Sequence, residues 1–438
     1  MSTASITLEN RTVRKLLWRL LPFLFLLYVV NYLDRINVGF AALQMRDQLG
    51  FSDRVFGTAF GIFFFGYFFF QLPSNLALAR VGARRWMAAI MVLWGVVSVC
   101  MIFVRTPMSF YGMRFLLGAA EAGFFPGIIL YLKNWFPASA RARAIASFMT
   151  ANALAGVVGS PISGALLGLH QGGLAGWQWM FVLEGLPAVL LAAVVWLTLK
   201  DEPEQASWLA EEEKTWLLEV LIKEREQHAA AIRGNVRAAV LGLSWRILLL
   251  IVVYFGITSS AYGIILWLPN YIHSLTTLGD WGIGVVSIIP YLVAAIFMVL
   301  IGISSDRTGK HRQHLAATAF AAALSLLIAA NTNSIVPGLA FVTAALMTTL
   351  AMQGPFWATA TSLTSGVAVA AAIAIINSFG NLGGFFGPYI IGFKRSSGGG
   401  FRGGMLVIAG LLAIAGTVSL LVRAPRQESS WARHNPLQ

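Results

Sequence analysis

Charge is scarce in this sequence. Asp, Glu, Lys and Arg together make up 11% of its 438 residues, against about 25% in a soluble globular chain. With 58% hydrophobic residues and a mean hydropathy of +0.74, that shortage excludes a soluble protein and predicts an all-α polytopic membrane protein. Cysteine is nearly absent: Cys100 stands alone in the apolar run Met87–Val104, so neither a disulfide framework nor a cysteine metal site is available. No histidines sit at metal-ligand spacing, no Ser-His pair lies at depth, and no paired Asp falls on facing helices. An intramembrane enzyme is therefore not expected, and neither is a cofactor. The Gly-rich run GNLGGFFG at 380–387 follows no strand and is helix packing rather than a phosphate loop. The N-terminus is polar, and the first apolar segment is too long for a cleavable signal and lacks a small-residue cleavage site.

What is present is apolar sequence in long blocks. A spanning helix needs about 20 mostly apolar residues. Twelve segments qualify, near 17–42, 54–79, 85–104, 107–133, 141–169, 178–199, 246–273, 281–303, 313–332, 335–363, 367–393 and 402–422. This divides the chain into a six-helix bundle (1–199), a hydrophilic linker (200–244), a second six-helix bundle (245–423) and a tail (424–438). The linker carries EEEK at 211–214 and KERE at 223–226, with Leu217, Leu218, Leu221 and Ile222 at helical spacing. It reads as an amphipathic surface helix whose charge run is a solvated face.

A net charge of +13 could point to nucleic acid. Its distribution points instead to membrane orientation. With both termini in the cytoplasm, 23 Lys and Arg collect on the cytoplasmic side and 6 on the other, as the positive-inside rule requires. The sequence thus predicts a multi-pass protein of the cell's inner (plasma) membrane, surrounded by lipid, without a nucleic-acid partner and acting as a monomer. The loop KRSSGGGFR after the eleventh helix runs against the charge rule.

Six helices, a long loop and six more suggest an internal duplication. The turns after the second and eighth helices read Asn75-LALARVGARR-Trp86 and Gly302-ISSDRTGKHR-Gln313. Aligning Gly82 with Gly309 matches Arg80 to Arg307 and places basic residues after both glycines. Arg80, Gly82, Arg84, Arg85, Asp306, Arg307 and Gly309 are the candidate gating residues.

Two charged pairs interrupt the apolar sequence. The first helix contains Asp34 beside Arg35, and the fourth contains Arg114 and Glu121, seven residues apart and so on one face. A charge at the bilayer centre costs about 2.5–3.5 kcal/mol even by insertion scales, so such groups face a cavity or a partner. Adjacent helical residues point about 100° apart, so Asp34 and Arg35 serve different contacts. Asp34 and Arg114 lie at about the same depth. Their pairing would leave Arg35 or Glu121 free to change partners. The carboxylates are the candidate proton carriers. Two embedded arginines favour an anionic ligand, because the guanidinium fork matches a carboxylate. The last six helices hold no clearly embedded charge. They offer Ser259, Ser260 and Tyr262, the Gly354-Pro355-Phe356-Trp357 run, and Asn377, Ser378 and Asn381. Gly-Pro inside a span predicts a kink where backbone lines a cavity. Glu184, near the start of the sixth helix, reads as a cytoplasmic-end or structural acid.

These residues carry a resemblance. NYLDRINVGFA at 31–41, GYFFFQLPSNLALARVGARRW at 66–86, RFLLGAAEAGFFPGIILYLKNWFP at 114–137, RARAIASF at 141–148, GWQWMFVLEGLPA at 176–188 and WLPNYI at 267–272 are similar to the major facilitator superfamily. Within it they resemble the anion:cation symporter group of galactonate-, tartrate- and phthalate-type carriers. The resemblance implies a twelve-helix carrier of two pseudo-symmetric six-helix bundles. It also implies that a small organic anion, such as a sugar acid, a tartrate-like acid or an aromatic carboxylate, is imported with protons by alternating access. A sodium-coupled symporter or an organic anion exchanger is the alternative. By position, Asp34 and Glu121 match the acids of proton coupling. Arg35 and Arg114 match the arginines at the substrate carboxylate, and Tyr67, Trp357 and Asn377 match pocket positions. Asn152 stands where galactonate carriers have glutamine. Ala79 replaces the acid of the wider superfamily's first inter-helix motif, and the seventh helix lacks the central arginine of the vesicular glutamate carriers.

Overall fold

In lipid a backbone must satisfy its own polar groups, so a spanning chain of this composition folds as helices. The computed structural model describes residues 3–231, 244–362 and 367–422. The expected tail 424–438 and part of the linker lie outside the described residues. Eleven helical stretches are long and apolar enough to cross a membrane: Thr7–Leu49, Asp53–Val81, Ala83–Phe103, Pro107–Trp135, Ala138–Leu166, Gly176–Thr198, Trp245–Leu275, Asp280–Thr308, His311–Ala329, Ile335–Ser362 and Arg402–Leu421. The expected eleventh span is present as two consecutive helices, Val367–Gly380 and Gly383–Lys394, each too short to qualify alone. Twelve spans result.

The spans pack as two related sets. In the first half, spans 1 and 5, 2 and 4, and 3 and 6 are neighbours; in the second, 7 and 11, 8 and 10, and 9 and 12. Adding six to each number converts one set into the other, which is the duplication written in packing. The turns after spans 2 and 8 match as well. Both need a glycine with positive φ, Gly82 at 91° and Gly309 at 65°, because an L side chain is strained there.

Several spans are broken. Span 1 breaks at Asn37, span 4 at Ala122-Gly123, span 5 at Thr150, span 10 at Met352 and span 11 at Asn381-Leu382. The interruption at Met352 precedes Gly354-Pro355, where a kink was expected. Each of these breaks lies within a few residues of a predicted site residue, whereas span 8 breaks at Ser287, away from any.

We call the end with the turns at 82, 136–137 and 309–310 the basic end, and the opposite one the far end. The halves meet across spans 1 and 7, 2 and 11, and 5 and 8. Small residues let these backbones touch. A Cβ on Gly39 would lie 2.5 Å from the Leu266 carbonyl oxygen, one on Gly57 2.8 Å from that of Pro388, and one on Gly392 2.4 Å from that of Asp53. Asn270 Nδ2 donates to the Gly39 carbonyl at 3.0 Å and Gln44 Nε2 to Asp280 Oδ2 at 2.7 Å. All these contacts are on the far-end side. Nearer mid-depth, Ser378 Oγ donates to Gln71 Oε1 at 3.0 Å.

The linker helix, Glu211–Ala231, is docked rather than free. Leu217 and Leu221 are buried, and Trp208 stacks on Trp135 at 5.7 Å. Two of its acids depart from the expectation of a solvated charge run, while Glu211, Glu212, Lys223 and Glu226 are exposed as expected. Glu213, with 1% of its side chain exposed, accepts from Arg11 Nε at 3.0 Å and Lys15 Nζ at 2.8 Å. Glu224 takes Arg141 Nη2 at 2.7 Å and the Ala138 N–H at 2.7 Å. These partners all belong to the first half, so the linker is fastened there.

Candidate functional site: a buried arginine-acid cluster between the halves

The centre is an ion pair between spans 1 and 4. Arg35 Nη2 lies 2.8 Å from Glu121 Oε2 and its Nε donates to the same oxygen at 3.3 Å. Its third contact crosses the halves: Nη1 donates to the Tyr262 hydroxyl at 3.3 Å. Arg35 therefore joins the charged first half to the uncharged polar second half. Its guanidinium carbon also sits 5.0 Å from the Phe63 ring centre and 5.4 Å from that of Tyr67, distances at which an aromatic face attracts a cation.

Arg114 occupies the other side of this cluster. Its guanidinium carbon is 5.1 Å from the same Phe63 ring, and its Nε donates to the Ala59 carbonyl at 3.3 Å. The residue is fully buried, yet Nη1 and Nη2 have no hydrogen-bond partner. Glu121 Oε1 is likewise buried without one. Buried polar atoms are nearly always satisfied, so two open guanidinium nitrogens single Arg114 out within the cluster.

Here one expectation is corrected. Asp34 forms no ion pair with Arg114. The 100° turn between residues 34 and 35 sends Arg35 toward span 4 and Asp34 toward span 3, where Ser98 Oγ donates to its Oδ1 at 2.6 Å. Arg114, not Arg35 or Glu121, is the group left with open donors.

The remaining predicted residues divide. Tyr67 is buried beside Arg35 and 6.2 Å from Phe63. Asn152 follows the break in span 5, with its Oδ1 buried and unpartnered. Trp357 is edge-on to Tyr254 at 5.1 Å, and Asn377 Oδ1 accepts from Asn381 Nδ2 at 3.1 Å. The structure shows no direct contact from either to Arg35 or Arg114. The turn residues lie at the basic end, far from the cluster. Arg84 donates its N–H to Asp201 Oδ1 at 2.9 Å, Asp306 lies 3.9 Å from His311, and Arg80, Arg85 and Arg307 are exposed.

Reading the sequence passed over Tyr28, Phe63, Ser98 and Tyr254. Tyr28 and Tyr254 are both buried within reach of the Arg35 charge. The spacing of Tyr28, Tyr32 and Arg35 on one helical face was a usable signal. Phe63 and Ser98 gave none, since each acts across a helix contact. Of the two readings of Glu184, the structure leaves the structural one: the residue is buried in the far-end half of span 6, and Ser163 Oγ donates to its Oε1 at 2.6 Å.

The family described as "Major Facilitator Superfamily" matches residues 24–388. The chain belongs to the Major Facilitator Superfamily. It is 46% identical over 425 residues to an Agrobacterium vitis protein described as "Putative tartrate transporter", covering 96% of this chain and 97% of that one. It is 38% identical to the Pseudomonas putida protein described as "Putative metabolite transport protein NicT", over 92% of both chains. Among solved structures, the Escherichia coli xylose transporter XylE, in a structure titled as inward open, superposes with a TM-score of 0.74 at 14% identity, covering 94% of this chain and 98% of that one. At that identity the likeness is one of fold. Membership of the superfamily makes the chain a multi-pass membrane transporter and not an enzyme.

Proposed function

We propose that this superfamily member imports a small organic carboxylate together with protons across the bacterial inner membrane, by alternating access. The observation that carries the reading is Arg114: a buried guanidinium with two open nitrogens, one phenyl ring away from an arginine whose carboxylate partner can be neutralised. The tartrate description of similar proteins agrees in charge and size. The substrate carboxylate docks on the Arg114 fork and competes with Glu121 for Arg35. A proton on Glu121 releases Arg35, so anion and proton favour each other's binding. Asp34, held by Ser98, is the second proton-carrying acid. Tyr67, Tyr262 and Asn152 border the substrate, and Trp357 and Asn377 close on it when the second half moves.

The basic end is the cytoplasmic face, with both termini there, by its excess of Lys and Arg. The packed far end then describes an inward-facing carrier. Arg80, Gly82, Arg84, Arg85, Asp306, Arg307 and Gly309 act in the opposite state, when the turns after spans 2 and 8 approach the other half. The division at 1–199, 200–244, 245–423 and 424–438 follows, with one chain sufficient for transport.

The test is uptake into proteoliposomes of tartrate, sugar acids and aromatic carboxylates under an inward proton gradient, an inward sodium gradient, or neither. Accumulation of one carboxylate driven by protons alone is expected. Accumulation driven by sodium, or exchange without accumulation, overturns proton coupling. Transport of none of them overturns the anion site.

A further inference from the structure

One buried acid has no part in the site described so far. Glu184, in Gly176–Thr198, is 4% exposed, and its Oε2 has no hydrogen-bond partner. Its Oε1 accepts from the Ser163 hydroxyl of span 5 at 2.6 Å, and the Asn37 amide at the break in span 1 is buried with both of its polar atoms unpartnered. No arginine or lysine among the described residues acts on it. Asp34 senses the charge of both Glu184 and Glu121. The two acids are joined through packing. Gly185 brings span 6 against span 3 so closely that a Cβ there would lie 2.9 Å from Ser98 Oγ, the donor to Asp34. Neither acid makes an ion pair, and an uncompensated buried charge is costly, so a proton is the available neutraliser.

Depth orders the acids. Ser163 lies three residues from the far end of Ala151–Leu166, and Glu121 closes Pro107–Glu121, fourteen residues in from that end. Glu184 itself is eight residues in from the far end of Gly176–Thr198, so at about 1.5 Å per residue it is roughly one and a half turns nearer the far side than Glu121.

We propose that Glu184 is a third proton-carrying acid, the entry point from the far side. Its carboxyl proton passes to the Asp34 carboxylate by way of the Ser98 hydroxyl, which borders Gly185 on one side and Asp34 on the other, and Glu184, left as carboxylate, reloads from solution when the far end opens. This rests on the proton-symport reading above.

The experiment uses the full chain in proteoliposomes with tartrate. Glu184→Gln is expected to cut proton-driven accumulation at least tenfold while symmetric-pH tartrate counterflow stays within twofold of wild type, and Glu184→Asp is expected to restore part of the accumulation. Infrared titration of the purified protein, which needs no substrate, is expected to show that Glu184→Gln removes one titrating carboxyl band. Full accumulation by Glu184→Gln, an unchanged set of bands, or loss of counterflow with no rescue by Asp overturns the inference. Wild-type exchange of tartrate without proton-driven accumulation overturns the symport reading itself, and this inference with it.

Discussion

Arg395, at the far end of the second half, reaches Asp53 of the first, its Nε 3.3 Å from Oδ2. Arg46 pairs with the other oxygen of Asp53, and Ser396 Oγ accepts the Arg54 N–H at 2.7 Å. The Arg395 guanidinium carbon also lies 4.0 Å from the Phe401 ring centre and 5.0 Å from that of Trp267. The KRSSGGGFR loop that defied the charge rule thus carries a largely buried arginine spent on holding the halves together. A basic residue buried in an ion pair orients nothing.

Removing one member of this pair leaves the other buried without compensation, which penalises the closed far end. Asp53→Asn is expected to shift the population toward an open far end. A bias of about 1.4 kcal/mol is a tenfold change in such an equilibrium. Spin labels at Asp47 and Val336, both exposed at the far end of opposite halves, should report a new longer distance. An unchanged distance distribution would show that glycine packing alone closes this end.

At the centre, charge without fork geometry is not enough. Arg114→Lys keeps the cation but offers one point donor instead of two parallel ones. A hydrogen bond to a charged group contributes about 1.5–3 kcal/mol, so substrate affinity should fall about tenfold to a hundredfold. Counterflow KM measured beside the wild type checks this; equal KM values would remove the carboxylate from Arg114.

Glu121→Gln mimics the protonated acid permanently. Arg35 then loses its ionic partner and stays available to substrate. Exchange at symmetric pH should persist while proton-driven accumulation is lost, and the pH dependence of exchange should flatten. Concentrative uptake by this variant at wild-type level would separate Glu121 from proton coupling.

The linker docking should depend on pH. Burial works against the Glu213 charge, but Lys15, the Ala210 N–H and Arg11 outweigh it and hold the carboxyl below the ordinary glutamate range. A depressed folded-state value means the contribution is full at neutral pH and is lost as pH falls below about 4. Glu213→Gln should reproduce the acid state at pH 7. Limited proteolysis within 211–231 should then be faster than in wild type, and equal rates would place the docking in Leu217, Leu221 and Trp208 alone.

Much of this protein was legible in its sequence. Apolar length set the spans, loop basicity gave an orientation, and four embedded charges marked the cluster, because the bilayer penalises exposed backbone and stray charge severely enough to leave a one-dimensional record. Pairing was not legible. Which neighbour Asp34 or Arg35 meets depends on the rotation of each helix and on glycines such as Gly185 and Gly39 that set how closely helices approach. Arg395 stood in a loop that ran against the charge rule and Glu184 read as a cytoplasmic-end or structural acid, since burial between helices leaves no periodic signal. The sequence determined how many helices cross and where charge is embedded; the tertiary structure decided which charges are satisfied, which are left open, and which end is closed. Those outcomes depend on distances of a few ångströms between residues from about twenty to more than three hundred positions apart.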